Sequence, residues 1–430
     1  MPEPRWPGSV GSCPCPFLPL AAGILRRIET IVKRAGRCSR PGAASERAPD
    51  PPHGATPLDG PWGAGHDPSS APPTRFQEHA MAKYRVAQVG CGHRGKNHID
   101  GFLKNPDRFE LVALCDLNRE RLDAAARQFG IARTYADAAT MLEAEKPDVF
   151  CFVTPPKVRL EMIELGIRHR PRAIAFEKPM ATSLAEARRI HDLCSQAGVK
   201  YIVSHQQKYG EQWGKAKAVY ERGEIGGLVR IHASSRAWLS QLGTHLVDYV
   251  LWFNGGARAK WVVGHVHGRK GLTDSHPSPD YTEGEIAFEN GVRAFIQFGY
   301  LSPQWLANEK FWTDNRITLY GTHGYAWANT DGDWAAFTKV SGGEVIGEAL
   351  PRWPEQENVL LQPRYLRDLA DWLDDATKVH PCNGEISYHG FEICSAFITS
   401  ALDHRRVDLP LAETPAEDEI ARLERELPEA

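Results

Sequence analysis

The sequence predicts an α/β protein with an amino-terminal Rossmann domain built on a parallel sheet and a carboxyl-terminal α+β domain built on a mostly antiparallel, open sheet. Three observations predict this class. Short apolar runs alternate with amphipathic helical patterns from Met81 to about residue 207, as in repeated βα units. A glycine-rich turn follows the first apolar run. After residue 208 the pattern changes to strands with hairpin-like turns, such as Asn290-Gly291.

Length and composition limit the possible functions. A chain of 430 residues exceeds one typical core, which fits two domains. The net charge of −3 argues against a nucleic-acid binder that works through a basic surface. The absence of any run of about 18 apolar residues argues against a membrane span. The nine cysteines form no CxxC pair, which favours reduced thiols and a cytoplasmic location.

The first 80 residues differ in composition from the rest of the chain. They hold 15 of the 31 prolines and show no sustained helical or strand period. We expect residues 1–80 to be a disordered extension, or the result of a start codon assigned too early, because Met81 begins a normal-looking amino terminus. The Rossmann domain is predicted over 81–207, the second domain over 208–405 and a carboxyl-terminal tail over 406–430.

Five apolar runs predict the strands of the parallel sheet. They cover 86–89, 111–115, 149–153, 174–176 and 201–203. Residues 122–129 predict one connecting helix. Ser183 and Glu186 predict a capping box, with reciprocal hydrogen bonds, at the start of another.

The glycine-rich turn predicts a dinucleotide site. Gly90-Cys91-Gly92-His93-Arg94-Gly95 lies between the first strand and a helix, and Asp116 ends the second strand 21 residues after Gly95. Such glycines permit close backbone approach, and the helix amino terminus offers free N–H groups to a pyrophosphate. A carboxylate at this spacing binds the adenosine ribose and repels a 2′-phosphate, so NAD is favoured over NADP. Because parallel strands end at one edge of the sheet, Thr154 and Lys178 should lie on the same edge as Gly90 and Asp116.

The second half predicts one early helix, a set of strands and two closing helices. The early helix covers 212–222, the strands cover 229–233, 261–266, 286–288, 292–298 and 317–320, and the closing helices cover 364–377 and 387–403.

A further helix between the first two of these strands carries His245, Asp248, Tyr249 and Trp252 on one side. If this helix begins near Gly243, its amino-terminal dipole should help to keep His245 neutral. Periodicity alone favours a solvated face with an incidental histidine.

Several motifs resemble, in order, those of the Gfo/Idh/MocA family, to which glucose–fructose oxidoreductase and inositol dehydrogenase belong. They are Gly90 to Gly95 with His98, Asp116, Thr154-Pro155-Pro156, Glu177-Lys178-Pro179 and Gly243-Thr244-His245-Leu246-Val247-Asp248. The resemblance covers about residues 83–405. It implies a Rossmann domain, a second domain whose open sheet commonly forms a subunit interface, and NAD(P)-dependent chemistry on a sugar or cyclitol carbon.

The resemblance also implies roles for individual residues. Lys178 matches the family's active-site lysine, His245 matches the histidine proposed as general base, and Asp248 matches a frequent aspartate beside it. The residues expected to contact the cofactor are Gly90, Gly92, His93, Arg94, Gly95, Asp116, Thr154, Pro155, Glu177 and Lys178.

Four further residues are candidate substrate contacts. Gln206 and Lys208 lie just past the last Rossmann strand, Gln241 precedes His245 by four residues, and Trp238 could stack on a sugar ring. An exposed polar linker and a core tryptophan are the alternatives. No metal site is predicted, because the two histidines of residues 261–267 lack a third ligand.

Two positions depart from the family pattern. Gln241 stands where the family often has an aspartate, and Arg159 stands where a histidine often follows the Thr-Pro-Pro segment. Loss of the aspartate removes a carboxylate that would orient or charge-pair the catalytic groups. We therefore expect a change in substrate choice, in pH optimum or in the chemistry itself.

The predicted function is NAD-dependent hydride transfer at a hydroxyl-bearing carbon of a sugar, glycoside or cyclitol, with Lys178 and His245 handling the proton. The predicted partners are a sugar or polyol and further copies of the chain, in a homodimer or homotetramer formed through the carboxyl-terminal sheet. Two alternatives stay open: a redox-neutral NAD-dependent glycosidase or epimerase of the same fold, and a non-catalytic NAD-sensing binding protein.

Overall fold

Six parallel strands form the first sheet of the computed structural model, which describes residues 83–274, 276–307, 311–415 and 418–428, without the side chain of residue 358. The strands are β1 (Tyr84–Val89), β2 (Phe109–Cys115), β3 (Thr134–Tyr135), β4 (Val149–Phe152), β5 (Ala173–Glu177) and β6 (Lys200–Ser204). Their spatial order is β3-β2-β1-β4-β5-β6, the doubly wound order of a Rossmann fold. The predicted extension over residues 1–80 lies outside the described residues.

Helices connect these strands and cover both faces of the sheet. They are α1 (His93–Leu103), α2 (Arg119–Phe129), α3 (Ala138–Glu145), α4 (Arg159–Arg168) and α5 (Leu184–Ala197). Buried apolar clusters on the two faces explain why the strands read as nearly continuous apolar runs.

The capping box predicted before α5 is only half formed. The Ser183 hydroxyl accepts a hydrogen bond from the N–H of Glu186 at 3.3 Å. The Glu186 carboxylate, however, accepts from the N–H and hydroxyl of Thr182 at 2.6 Å, so it does not reach back to Ser183. The threonine offers two donors where the serine backbone offers one.

The second sheet has nine strands among the described residues, and it is mostly antiparallel as predicted. They are β7 (Leu228–Ser235), β8 (Ala259–His267), β9 (Tyr281–Phe288), β10 (Arg293–Gly299), β11 (Asn315–Gly321), β12 (Tyr325–Asn329), β13 (Trp334–Phe337), β14 (Glu344–Ile346) and β15 (Val407–Asp408). The spatial order is β14-β13-β12-β11-β7-β10-β9-β8-β15. Only β7 and β10 pair in parallel in the described part of this sheet.

The remaining helices pack on both sheets. They are α6 (Glu211–Glu221), α7 (Thr244–Phe253), α8 (Trp353–Gln356), α9 (Gln362–Asp374), α10 (Gly384–Asp403) and α11 (Glu419–Glu426). Helices α6, α7 and α10 share a core with the second sheet. Helix α9 instead buries Tyr365, Leu366 and Leu369 in the core of the first sheet. No helix among the described residues is long and apolar enough to cross a bilayer.

The helix that carries His245 starts earlier than predicted. A π-helical turn (Leu239–Gly243) runs directly into α7, so the helical backbone begins at Leu239 rather than near Gly243. His245 therefore lies in the second turn. The free N–H groups of the helix start lie too far away for their dipole to control it, because that effect falls off within the first turn.

Candidate active site

The predicted site residues converge on one edge of the parallel sheet. Gly90 follows β1, Asp116 follows β2, Thr154 follows β4 and Lys178 follows β5, and these four strands are neighbours in the order β2-β1-β4-β5. The π-helical turn before α7 reaches the same edge, because the Lys178 ammonium donates to the backbone carbonyl of Gln241 at 2.9 Å. The site thus combines turns at the end of the first sheet with the π-helical turn that precedes α7.

The three glycines of the turn meet different surroundings. A Cβ on Gly90, whose φ is +95°, would lie 2.3 Å from the carbonyl oxygen of Val153, and a Cβ on Gly95 would lie 2.1 Å from that of Gly90. A Cβ on Gly92 would meet no atom within 4 Å. Gly90 and Gly95 are therefore required by the turn itself, whereas Gly92 leaves open space beside the start of α1.

Gln88, a buried glutamine within the predicted apolar run 86–89, supports this turn. The Gln88 amide donates to the carbonyl of Gly90 at 3.0 Å and to that of Gly95 at 2.9 Å. The signal that could have revealed it is a single polar residue in the strand directly before the glycine motif. Gln88 thus fixes the turn through the carbonyls of Gly90 and Gly95, and the space beside Gly92 stays open.

Asp116 is held where a ribose contact is expected. Its carboxylate accepts from the N–H of Cys91 at 2.8 Å and from the N–H of Asn118 at 2.8 Å. The Arg121 guanidinium lies 3.1 Å from Oδ1 of the same carboxylate, the oxygen that also accepts from Asn118. The acidic group is therefore fixed directly beside the glycine-rich turn.

The residues of this edge fit a dinucleotide. Helix α1 begins after Gly92, and no side chain caps it, so its first N–H groups are free to donate hydrogen bonds to a pyrophosphate. The Thr154 hydroxyl is buried and has no hydrogen-bond partner among the described residues, so it is available to a ligand. His93 is exposed at the first position of α1, and Pro155 is exposed beside Thr154.

Two predicted cofactor contacts are paired with protein groups instead. Glu177 lies 3.1 Å from the Arg94 guanidinium and 2.9 Å from the His98 imidazole, and Arg94 also pairs with Glu357. Burial alone would raise the pKa of Glu177, but Arg94 and His98 outweigh it and hold the pKa well below its usual range. Glu177 therefore anchors the turn that presents Lys178. Glu357 was not predicted, because it is distant in sequence.

Lys178 is held by the backbone carbonyl of Gln241, and the Gln241 side chain is turned to a different partner. The Gln241 side chain accepts instead from the N–H of Trp238 at 3.4 Å, at the start of the π-helical turn. Burial lowers the pKa of Lys178, and the nearby Arg159 and Arg94 lower it further, although Glu177 acts in the opposite direction. Trp238 is partly exposed beside this turn.

His245 is a buried imidazole at the site. It is 4% exposed, and its Nδ1 lies 3.1 Å from the Tyr249 hydroxyl. Burial lowers the pKa of His245 well below its usual range, and the neighbouring His205 and Lys178 lower it further. The predicted neutral form is thus explained by burial and not by the helix dipole, since the helix starts a turn earlier.

Asp248, predicted to act beside His245, is paired with other groups. It is fully buried, forms an ion pair with Lys208, and lies 3.3 Å from Nδ1 of His205. The His205 ring in turn meets the His245 ring edge-on, with 5.0 Å between the centroids. Asp248 thus contacts His205, whose ring packs against that of His245. His205 directly follows β6 and was not among the predicted site residues.

The candidate substrate contacts after β6 face inward. Lys208 pairs with Asp248 and donates to the carbonyl of Pro381 at 2.9 Å. The Gln206 amide lies against the Ser204 hydroxyl at 3.0 Å. Both side chains are 3% exposed, so internal contacts occupy them.

A cavity of about 390 Å³ adjoins this site. Its walls include Pro179, Ser240 and Thr244, each next in sequence to a site residue, together with apolar side chains of α10 and α11. The side chains of Lys178 and His245 do not line it. Among the described residues, no three His, Cys, Asp or Glu side chains are grouped to hold a metal ion.

This fold and this edge define a two-domain protein whose first domain is a Rossmann fold suited to binding a dinucleotide. Residues 84–205 match the model of the Gfo/Idh/MocA family, an oxidoreductase family with an NAD-binding Rossmann fold.

Two curated relatives and one solved structure are similar to this chain. A D-apiose dehydrogenase of Paraburkholderia graminis is 29% identical over 245 residues, which are 52% of this chain and 62% of that protein. A scyllo-inositol 2-dehydrogenase (NAD(+)) of Bacillus subtilis is 28% identical over 57% of this chain and 74% of that protein. A crystal structure of an Agrobacterium radiobacter oxidoreductase in complex with NAD+, L-tartaric acid and magnesium shares the fold, with a TM-score of 0.65, 21% identity, and coverage of 76% of this chain and 98% of that one.

Proposed function

We propose that this protein is an NAD-dependent dehydrogenase that acts on a hydroxyl-bearing carbon of a sugar, glycoside or cyclitol. The observation that carries the proposal is the placement of the Lys178 ammonium and the neutral His245 at the edge where the glycine-rich turn and Asp116 would bind a dinucleotide. The names of the relatives, an apiose dehydrogenase and an inositol dehydrogenase, support this substrate class.

The proposed chemistry divides between cofactor and protein. NAD+, when bound, supplies the acceptor for the hydride. His245 takes the proton from the substrate hydroxyl, which its neutral form allows. Lys178 donates a hydrogen bond to the same oxygen and stabilises the negative charge that develops there. His205 and Asp248 hold the His245 ring from behind, and Glu177 holds the Lys178 turn.

Asp116 supports NAD as the preferred cofactor, because its carboxylate would repel a 2′-phosphate. A homodimer or homotetramer through the second sheet is part of the proposal. It is supported by exposed aromatic residues, such as Phe295 on β10 and Trp305 and Trp312 near β11. The cytoplasmic location rests on cysteine usage, and the six described cysteines are free and buried.

The test is a screen for NADH formation. The purified chain is mixed with NAD+ and a panel of polyols, aldoses and glycosides, and NADH fluorescence is followed. We expect turnover with at least one member, and faster turnover with NAD+ than with NADP+. Cofactor that copurifies, with glycoside cleavage or epimerisation but no net NADH, would favour the redox-neutral alternative. NAD binding without any reaction would favour the sensing protein.

A further inference from the structure

Arg159 is a buried cation that the proposed chemistry does not use. It is 2% exposed at the first position of α4. Its Nη2 donates to the backbone carbonyl of Lys178 at 3.0 Å and to that of Thr154 at 3.4 Å. Its Nε and Nη1 have no hydrogen-bond partner among the described residues. Burying a guanidinium with unsatisfied donors costs folding free energy, so the presence of Arg159 here calls for an explanation.

The two carbonyls that Arg159 contacts belong to turns at neighbouring strand ends. Thr154 lies in the turn after β4, and Lys178 lies in the turn after β5, which pairs with β4. The guanidinium therefore braces the backbone of Lys178 on one side, while the Gln241 carbonyl receives its ammonium on the other. Together these contacts fix where the amine stands.

The charges around Lys178 leave Arg159 without a dedicated counter-ion. The charged and titratable groups near the amine are Glu177 on β5, Arg94 on α1, Arg159 on α4 and His245 on α7. Glu177 is already engaged by Arg94 and His98. Burial lowers the pKa of Arg159, but only to about 10, so it remains charged at neutral pH. A like charge of this kind disfavours the protonated form of a neighbouring lysine.

We propose that Arg159 is a positioning residue that braces the Lys178 turn and, through its charge, sets how readily Lys178 gives up its proton. The inference rests on the proposed function only for its effect on turnover. The effect of Arg159 on the Lys178 amine exists with or without a substrate.

The experiment measures the titration of Lys178 directly. Full-length wild type and variants are acetylated with trace acetic anhydride across pH, and the Lys178 peptide is quantified by mass spectrometry against the exposed Lys339. Arg159→Met and Arg159→Gln remove the charge, and Arg159→Lys keeps it. Arg172→Met is the matched control, because Arg172 also donates to a backbone carbonyl, that of Leu373, but lies just before β5, at the opposite end of that strand from Lys178.

The charge-removing variants should move the Lys178 midpoint to higher pH by about one unit, while Arg159→Lys and Arg172→Met leave it in place. With an active substrate, the pH profile of kcat/KM should shift in the same direction in Arg159→Met and Arg159→Gln. Should Arg159→Met fail to fold, Arg159→Gln, which retains donors for the two carbonyls, gives the answer.

A Lys178 midpoint that is the same in wild type and in the folded charge-removing variant overturns the inference, even if turnover falls. A failed substrate screen with a shifted midpoint would instead contradict the proposed function alone.

Discussion

At the scale of single residues, the three glycines of the turn differ in function because their surroundings differ. Gly90 and Gly95 are needed by the turn, because a Cβ would meet backbone carbonyl oxygens, whereas the space beside Gly92 is open. The sequence predicted a tight glycine turn but not this difference between its glycines, because the difference depends on contacts with Val153 and Gly90 that only the fold creates.

Gly92→Ala should therefore affect mainly NAD+ binding, whereas Gly95→Ala should affect mainly the stability of the fold. We expect Gly92→Ala to change the free energy of unfolding by less than about 1 kcal/mol, yet to weaken NAD+ binding at least about tenfold, because its methyl group fills the space for the pyrophosphate. Gly95→Ala should cost about 1–3 kcal/mol of stability, because its methyl group overlaps the Gly90 carbonyl. Urea unfolding and calorimetric titration measure both quantities. Wild-type NAD+ affinity in Gly92→Ala would contradict the placement of the cofactor.

At the scale of elements, local sequence located strand ends well and the helix start before His245 poorly. Gly243 looked like a boundary because glycine commonly borders helices. In the structure Gly243 is helical, and a Cβ there would lie 2.6 Å from the Leu239 side chain. The glycine thus makes room for a leucine one turn earlier, a packing reason that periodicity does not reveal.

The link between α9 and α10 should depend on pH. His380 Nε2 donates to the Tyr365 carbonyl on α9 at 2.8 Å, and its Nδ1 accepts from the N–H of Cys382 at 2.9 Å, so the neutral form makes both bonds. Burial lowers the pKa of His380 to about 3, against 6.5 for an exposed histidine. Below about pH 6.5 the unfolded chain gains a proton at this position that the folded chain does not, so stability falls as pH falls.

Urea unfolding at pH 7 and pH 5.5 tests this link in wild type and in His380→Gln. The histidine should account for about 1 kcal/mol of the loss between these pH values. The glutamine variant should start less stable, but its stability should fall by that much less. Equal pH dependence of the two proteins would show that His380 does not titrate in this way.

At the scale of the whole molecule, the sequence predicted the two kinds of sheet and the shared edge on which Gly90, Asp116, Thr154 and Lys178 lie. The alternation of apolar runs was sufficient to predict this edge, because a parallel sheet places the carboxyl ends of all its strands on one side. It did not predict that α9 returns to the first sheet, or that β12, β13 and β14 extend the second sheet, because such packing joins segments far apart in sequence.

The same limit applies to the site. Lys178, Asp116 and the glycines could be proposed as site residues because their spacing from the predicted strands is local. The helical wheel placed Asp248 on the same side as His245, but its carboxylate is paired with Lys208 and His205, which both follow β6. The neighbours supplied by other elements decide which polar side chains remain available to a substrate.

The central claim is that Lys178 and His245 handle the proton at the cofactor edge. Its most direct measurement is single-turnover NADH formation by Lys178→Met and His245→Asn, with the best substrate from the screen and with NAD+ affinity measured in parallel. We expect each variant to be slower by about 100-fold or more, with NAD+ affinity within about threefold of wild type and with an exposed-lysine control, Lys339→Met, unaffected. Wild-type rates in both variants would contradict the claim.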